Sequence, residues 1–424
     1  MFEASILLGV FVLLAILRVP IAFGLIVSCL VLFTLEDRLL PWVVTQRLFS
    51  GVDSFVLLAV PFFISAGHIM NEAKVTDRLI ALAYSIMGAI RGGLAMVNVG
   101  VSMLFAGVSG SSTADTAGVG TVLIPQMQRR GYATDFTVAV TASSSVIGTI
   151  IPPSIQLIVW GSLTQTSIAG LFLGGLIPGV LVGVALLALV YVLSRRAGYP
   201  KEERSSFKAV LIAFRDSVLA LSIPVVVVGG IVFGFMTATE AAVFAVLVAL
   251  VLGLLVYRTL SVRDLPGIFS RSANLTALPL FALSAASIFG YLLAYYRVPF
   301  LLEGGLEGIH PMVLLPVLAL LWLIIGTFLD ALPAMAIMVP VFQPVVDAAG
   351  LDPIHYGVVS VMALALGLVT PPYGLCLLLA SAIADVPVIR VLRPLFVFFL
   401  AILIVIMLCI AIPALVTFLP GLAA

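Results

Sequence analysis

Apolar runs of roughly 17–25 residues, each long enough to cross a bilayer, recur along the chain between short polar or charged stretches. Candidate crossings lie at Ser5–Leu17, Ile21–Leu35, Ser54–Met70, Thr134–Leu163, Leu171–Leu193, Ser217–Phe235, Ala241–Tyr257, Ala273–Tyr296, Gly357–Ile383 and Leu395–Leu419. Two further apolar stretches, Gly93–Met127 and Pro311–Val346, are interrupted near the middle by Ser109–Thr116 and Gly326–Pro333. Each reads as a re-entrant hairpin, because non-helical backbone at membrane depth is tolerated where it is buried in protein or lines a wet cavity. The first segment has no basic n-region and no small-residue cleavage site, so it reads as a retained helix rather than a signal peptide.

The same hexad, G-x-x-x-P-P, occurs twice inside apolar segments, at Gly148–Pro153 and Gly367–Pro372. Proline lacks an N–H and clashes with the carbonyl four residues back, so paired prolines break a helix. The carbonyls of Gly148 and Thr149, and of Gly367 and Leu368, should then be free to meet a cation or polar substrate at membrane depth. The copies lie 219 residues apart (371 − 152), with Pro61 and Pro279, Gly110 and Gly326, and Pro125 and Pro340 at offsets of 218, 216 and 215. Simple kinks in a chain with 36 glycines and 24 prolines would give some such coincidences. The common order argues instead for a duplication of five crossings with one hairpin per half: 1–194 with its hairpin at 93–127 and broken helix at 134–163, and 216–424 with corresponding elements at 311–346 and 357–383.

Composition supports a membrane setting. The 424 residues are 63% hydrophobic and only 9% charged, against about 25% charged in soluble domains. A net charge of +1 gives no reason to expect a nucleic-acid partner. Cys29, Cys376 and Cys409 are scattered in apolar surroundings and support neither a disulfide framework nor a metal centre. Basic residues collect in cytoplasmic loops, which places the 195–215 connector, with Arg195, Arg196, Lys201, Arg204, Lys208 and Arg215, inside. Arg18, Arg91, Arg129, Arg130, Arg258, Arg263, Arg271, Arg390 and Arg393 then fall inside, and Glu36, Asp37, Glu303 and Glu307 outside; Arg47 and Arg297 are exceptions. This works only if both interrupted stretches are hairpins. The odd number of crossings per half makes the repeats inverted, with both termini outside. The resulting fold class is an all-α polytopic membrane protein with inverted repeats and broken helices, the plan of secondary transporters.

The first tip, Ser109-Gly-Ser-Ser-Thr-Ala-Asp-Thr116, is rich in hydroxyls. Ser112 and Asp115 have the spacing of a helix N-terminus, whose positive dipole end suits a carboxylate. The same hydroxyls and carbonyls suit Na⁺. A tight helix–helix contact of small residues is the alternative, but an intramembrane carboxylate points to function. In the second tip Asp330 is expected to match Asp115, with Thr327 as its hydroxyl. Each tip should meet the G-x-x-x-P-P break of its own half. The candidate first Na⁺ site comprises Ser109, Gly110, Ser112, Gly148 and Thr149, and the second Gly326, Thr327, Asp330, Gly367 and Thr370. Gly148 and Gly367 are expected to offer equivalent carbonyls. Glu240 should cap the helix following Met236–Glu240, and His68, His310 and His355 read as interfacial polar residues.

Ser54–Phe63 with Ala66-Gly67, the tip Ser109–Asp115, Ile124-Pro125 with Arg130-Gly-Tyr132, Ile151-Pro-Pro-Ser154, the Thr-rich stretch to Ala242, Gly326-Thr327 with Asp330, and Thr370-Pro-Pro-Tyr-Gly374 together resemble the large membrane subunit of tripartite ATP-independent periplasmic (TRAP) transporters. The resemblance implies Na⁺-driven uptake of an organic acid such as a dicarboxylate or sialic acid across the bacterial inner membrane, with no other cofactor. It implies a periplasmic substrate-binding protein, a separate small four-helix membrane subunit and an elevator motion. Substrate contacts are then expected at Ser111, Ser112, Thr113, Asp115, Ser154, Thr327, Asp330 and Tyr373. His68 departs from the family, which often has Glu there.

Two other readings remain at this point. A sodium-coupled carrier of the same superfamily could work without a binding protein. Gly107-Val-Ser-Gly110 also matches the G-x-S-G of intramembrane serine proteases, though that chemistry needs a histidine within reach of Ser109.

Overall fold

The computed structural model describes residues 2–17, 19–36, 40, 42–201, 205–298 and 310–423. The charges Arg18, Asp37, Arg204, Glu303 and Glu307 used above lie outside this set. The described residues form helices and no strand: α1 (Phe2–Ile16), α2 (Ile21–Leu35), α3 (Trp42–Ser50), α4 (Ala59–Glu72), α5 (Val75–Met87), α6 (Gly93–Ser109), α7 (Ser112–Arg129), α8 (Thr134–Ser145), α9 (Ile155–Thr164), α10 (Ile168–Ala197), α11 (Phe207–Val232), α12 (Ala238–Val251) and α13 (Leu265–Tyr295). They continue with α14 (Pro311–Phe328), α15 (Ala331–Ala348), α16 (Pro353–Gly367), α17 (Leu375–Ile383), α18 (Val388–Ala411) and α19 (Ala414–Ala423).

Both interrupted stretches are helix pairs. Gly110 ends α6 in the left-handed region at φ 61°, which glycine adopts without a Cβ penalty, and Ser111 caps α7. Leu329 ends α14 and Asp330 caps α15. Each proline pair likewise splits its crossing: α8 runs through a 3₁₀ turn, Val146–Thr149, before α9, and α16 stops at Gly367 before α17. The element bounds repeat at one offset: Ser112 and Ala331, Arg129 and Ala348, Thr134 and Pro353, and Thr164 and Ile383 are each 219 residues apart.

Some elements differ from expectation. The third crossing continues to Glu72 and is followed by α5, bent away by 68°; α5 lies outside the predicted crossings, its start carrying the charges Asp77 and Arg78. The short helix α3 was also missed. The basic connector is helical at both ends, since α10 carries Arg195 and Arg196 in its last turn and α11 begins at Phe207. The last crossing breaks at Ile412-Pro413 into α18 and α19. By length and hydropathy seven described helices could cross a membrane, or eight with the bent pair counted as one; the broken crossings fall below that length because the prolines divide them.

Packing interlocks the two halves. Helix α17 lies against α7 and α8, while α9 lies against α15 and α16. Helix α13 touches α2, α3 and α4 as well as α15, and α4 packs on α12. Where α9 meets α14 and α16, Trp160, Trp322 and Tyr356 form a fully buried aromatic cluster: the Trp160 and Trp322 rings are 5.3 Å apart, Trp160 and Tyr356 5.2 Å. Trp322 Nε1 donates to Tyr356 Oη at 3.1 Å. Leaving a buried N–H unpaired costs about 1–3 kcal/mol, so Tyr356→Phe should lower the thermal unfolding midpoint without changing helical content by circular dichroism. Outward-facing positions carry Phe214, Phe235, Leu278 and Phe396, apolar side chains suited to lipid.

Candidate functional site

The hairpin tips and helix breaks meet as the spacing predicts. At the first tip Ser112 Oγ donates to Thr149 Oγ1 at 3.3 Å, and the Ile155 N–H donates to Gly110 O at 3.1 Å. A Cβ added to Gly148 would lie 3.2 Å from Ser111 O. At the second tip the Tyr373 N–H donates to Thr327 O at 3.2 Å, and Gly326 and Gly367 touch backbone to backbone.

These contacts change the reading of the freed carbonyls. Thr149 O accepts from the Ser154 hydroxyl at 2.5 Å, Gly367 O from the Thr370 N–H at 2.9 Å, and Leu368 O from the Cys376 N–H at 2.9 Å. Gly148 and Gly367 are therefore not equivalent: the chain after the second break folds back onto its own glycine carbonyl, whereas Ser154 caps α9 and answers Thr149 instead.

The two aspartates are not counterparts either. Helix α7 is capped by Ser111, whose side chain accepts from the Ala114 N–H, one residue before the expected Ser112. Helix α15 is capped by Asp330, whose Oδ1 accepts from the Ala331 N–H at 2.8 Å. At the 219-residue offset Asp330 corresponds to Ser111, and Asp115 lies one turn further into its helix. Asp115 is 1% exposed, and neither of its carboxyl oxygens has a hydrogen-bond partner among the described residues. Above it, Asn98 Nδ2 donates to Thr141 Oγ1 at 2.7 Å, Ser144 Oγ to Asn98 Oδ1 at 3.1 Å, and Ser102 Oγ to Ser144 Oγ at 3.1 Å, a buried polar chain joining α6 to α8.

A cavity of about 600 Å³ lies between both tips, the first break and helices α4 and α13. Ser109, Gly110, Ser111, Ser112, Thr113, Thr149 and Asp330 line it. The N-terminal turn of α7 faces this volume, an arrangement suited to an anion. Asp115, Gly148, Ser154, Gly326, Thr327, Gly367, Thr370 and Tyr373 are not among its lining residues. Ser154 is occupied as a cap, and the Thr327 and Thr370 hydroxyls donate to Ile324 O and Leu366 O, each at 2.7 Å. The cavity also takes in Gln156, His68 and Asn71, which sequence reasoning did not place there. Gln156 is 6% exposed and its Oε1 has no hydrogen-bond partner among the described residues; a glutamine three residues after the proline pair was the available signal.

The histidines differ in place. His68 lines the cavity and its Nδ1 shares a 3.0 Å hydrogen bond with Ser272 Oγ. His355 is buried rather than interfacial, with Nε2 2.9 Å from Cys409 O. His310 caps α14 in an exposed position. Glu240 forms a capping box with Thr237, its carboxylate accepting from the Thr237 N–H and hydroxyl.

The profile of the family described as "Tripartite ATP-independent periplasmic transporter, DctM component" matches residues 8–415. The chain is 38% identical over 370 residues to the sialic acid TRAP transporter large permease protein SiaM of Vibrio cholerae, covering 87% of each. It is 34% identical to the C4-dicarboxylate TRAP transporter large permease protein DctM of Pseudomonas aeruginosa, covering 88% of each. Among solved structures it resembles the YdaH transporter of Alcanivorax borkumensis, with a TM-score of 0.65 at 14% identity over 94% of this chain and 96% of that one. At that identity the likeness speaks to fold alone. His68 does share the cavity with Ser109, but the relatives are permeases, and the protease reading of Gly107-Val-Ser-Gly110 is set aside on that ground. This chain belongs to the TRAP transporter large permease (DctM) family and is a multi-pass membrane transport protein.

Proposed function

We propose that this permease imports an organic acid anion across the bacterial inner membrane, driven by Na⁺, after a periplasmic binding protein delivers it. The observation that carries this reading is the cavity that the N-terminal turn of α7, with Ser111, Ser112 and Thr113, lines together with Asp330 of the second tip. The N–H groups of α7 suit a carboxylate. The first Na⁺ is assigned to the hydroxyls and carbonyls where Ser109–Ser112 meets Gly148 and Thr149, and the second to Gly326, Thr327, Asp330, Gly367 and Thr370. Relatives named for sialic acid, C4-dicarboxylates and isethionate set the substrate class to test. A small four-helix membrane subunit is the proposed second partner.

The halves are proposed to be inverted repeats with both termini periplasmic, moving substrate by an elevator motion of the hairpin-bearing body. Side-chain contacts fit this orientation: Glu36, assigned outside, is hydrogen-bonded by the Tyr296 hydroxyl at one end of α13, and Glu72 pairs with Arg271, assigned inside, at the other.

The test is uptake into proteoliposomes holding the permease, its small subunit and the binding protein, with N-acetylneuraminate, succinate and isethionate as probes. Uptake of one acid that requires both an inward Na⁺ gradient and the binding protein supports the reading. Uptake without the binding protein would favour a lone carrier, and uptake indifferent to Na⁺ would remove the coupling. Ser112→Ala removes the hydroxyl that bridges tip and break. It should raise the Na⁺ concentration needed for half-maximal uptake several-fold; an unchanged Na⁺ dependence would remove that tip from the sodium site.

A further inference from the structure

We propose that Arg271, with Asn274 beside it, forms a second anion subsite at the mouth of the cavity, a station for the substrate's carboxylate between the hairpin tips and bulk water. The inference rests on the reading of the cavity as an organic-anion site. A recess of about 400 Å³ adjoins the cavity, lined by His68, Asn71, Glu72, Arg271, Asn274 and Leu275. His68, Asn71 and Leu275 line both volumes, so the recess is where the cavity widens.

The charge distribution is uneven. Among the described residues lining the inner cavity there is no lysine or arginine, so an anion there depends on the helix N-terminus and hydroxyls. Among the described residues Arg271 is the one arginine or lysine lining either volume. Its Nη2 donates to Glu72 Oε1 at 2.8 Å, with the two side chains 61% and 46% exposed. Solvent screens an ion pair so placed and leaves it little net strength. A guanidinium carries five N–H donors in a planar fork, and this ion pair engages one nitrogen. An incoming carboxylate can therefore take the remaining donors or displace Glu72 outright. Asn274, three residues on along α13, stands on the same helix face and lines the same recess, where its amide can donate to the second carboxylate oxygen. In the orientation proposed above, Arg271 is cytoplasmic, which puts this station on the release side.

The competing account is that Arg271 and Glu72 simply staple α13 to α4. A permanent pair presents no net charge, and that separates the two. The three native cysteines are buried, so Asn274→Cys supplies one accessible thiol in the purified full-length protein. The probes are two methanethiosulfonates of similar size, the anionic sulfonatoethyl and the cationic trimethylammonium-ethyl reagents. The subsite predicts at least threefold faster modification by the anion, a larger ratio with Glu72→Gln added, and loss of the preference with Arg271→Gln added. Non-reactive isethionate at millimolar concentration should slow the anionic reagent only while Arg271 is present. In proteoliposomes Arg271→Gln should raise at least fivefold the internal concentration of the transported acid that half-inhibits its uptake, with the Na⁺ dependence of uptake unchanged, and Arg271→Lys should recover part of that inhibition. Equal rates for the two reagents, unmoved by Arg271→Gln, with unchanged inhibition by internal acid, would overturn the subsite while leaving transport intact. Absence of Na⁺-driven uptake in the unsubstituted protein would instead count against the transport reading, and the thiol chemistry would still report on the subsite.

Discussion

Gly367→Ala should abolish Na⁺-driven uptake, whereas Gly148→Ala should retain a measurable fraction of it. A Cβ on Gly367 would stand 2.5 Å from the carbonyl carbon of Gly326, 2.6 Å from its Cα and 2.9 Å from Leu323 O. All three are backbone atoms, so no side chain can rotate away and α14 itself must move. The reciprocal change is as tight, with Leu364 O 2.7 Å from a Cβ on Gly326. Overpacking of this kind costs about 1–3 kcal/mol, and the effect on transport is larger because Gly326 lies one turn before the tip that presents Asp330. At Gly148 the closest atoms are Ser111 O at 3.2 Å and its carbonyl carbon at 3.3 Å, contacts relieved by shifts of tenths of an ångström. Proteoliposome uptake and thermal unfolding check both. Wild-type uptake by Gly367→Ala would show that the second tip does not need its backbone contact.

Asp115→Asn should separate stability from function in the opposite sense. A carboxylate taken out of water without a partner costs several kcal/mol, and Asp115 is almost wholly buried with neither oxygen hydrogen-bonded among the described residues. The ionised side chain therefore needs a cation or proton, which the amide does not. In Na⁺-free buffer the variant should melt no lower than the parent. The parent should gain stability as Na⁺ is added, by about 2.7 kcal/mol at a hundred times the dissociation constant, and the variant should gain much less, while its uptake falls at least tenfold. Full Na⁺ stabilisation of Asp115→Asn would show that the buried carboxylate takes no part in cation binding.

Much of this architecture was legible because helix breaking is local chemistry. Proline without an N–H placed the breaks after Gly148 and Gly367, and the run of small and polar residues placed the first tip within Ser109–Thr116. The 219-residue spacing of the proline pairs then recurred in both bounds of α7 and α15 and in the ends of α9 and α17. Helix α5 was missed because its first turn is charged, although its buried face packs on α6 and α11. The pairing of Asp115 with Asp330 failed for a related reason: residue type was matched, but position relative to the cap was not.

From residue order alone came the membrane class, the two hairpins, the two broken helices and the family resemblance, all properties carried by composition and by neighbours a few residues apart. Tertiary structure decided which polar groups share a space. Gln156 from α9, His68 and Asn71 from α4 and Asp330 from the second tip line one cavity, while Asp115, Thr327 and Tyr373 do not. Direction around a helix axis and the packing of elements far apart in the chain fix that choice, and neither is written in local spacing.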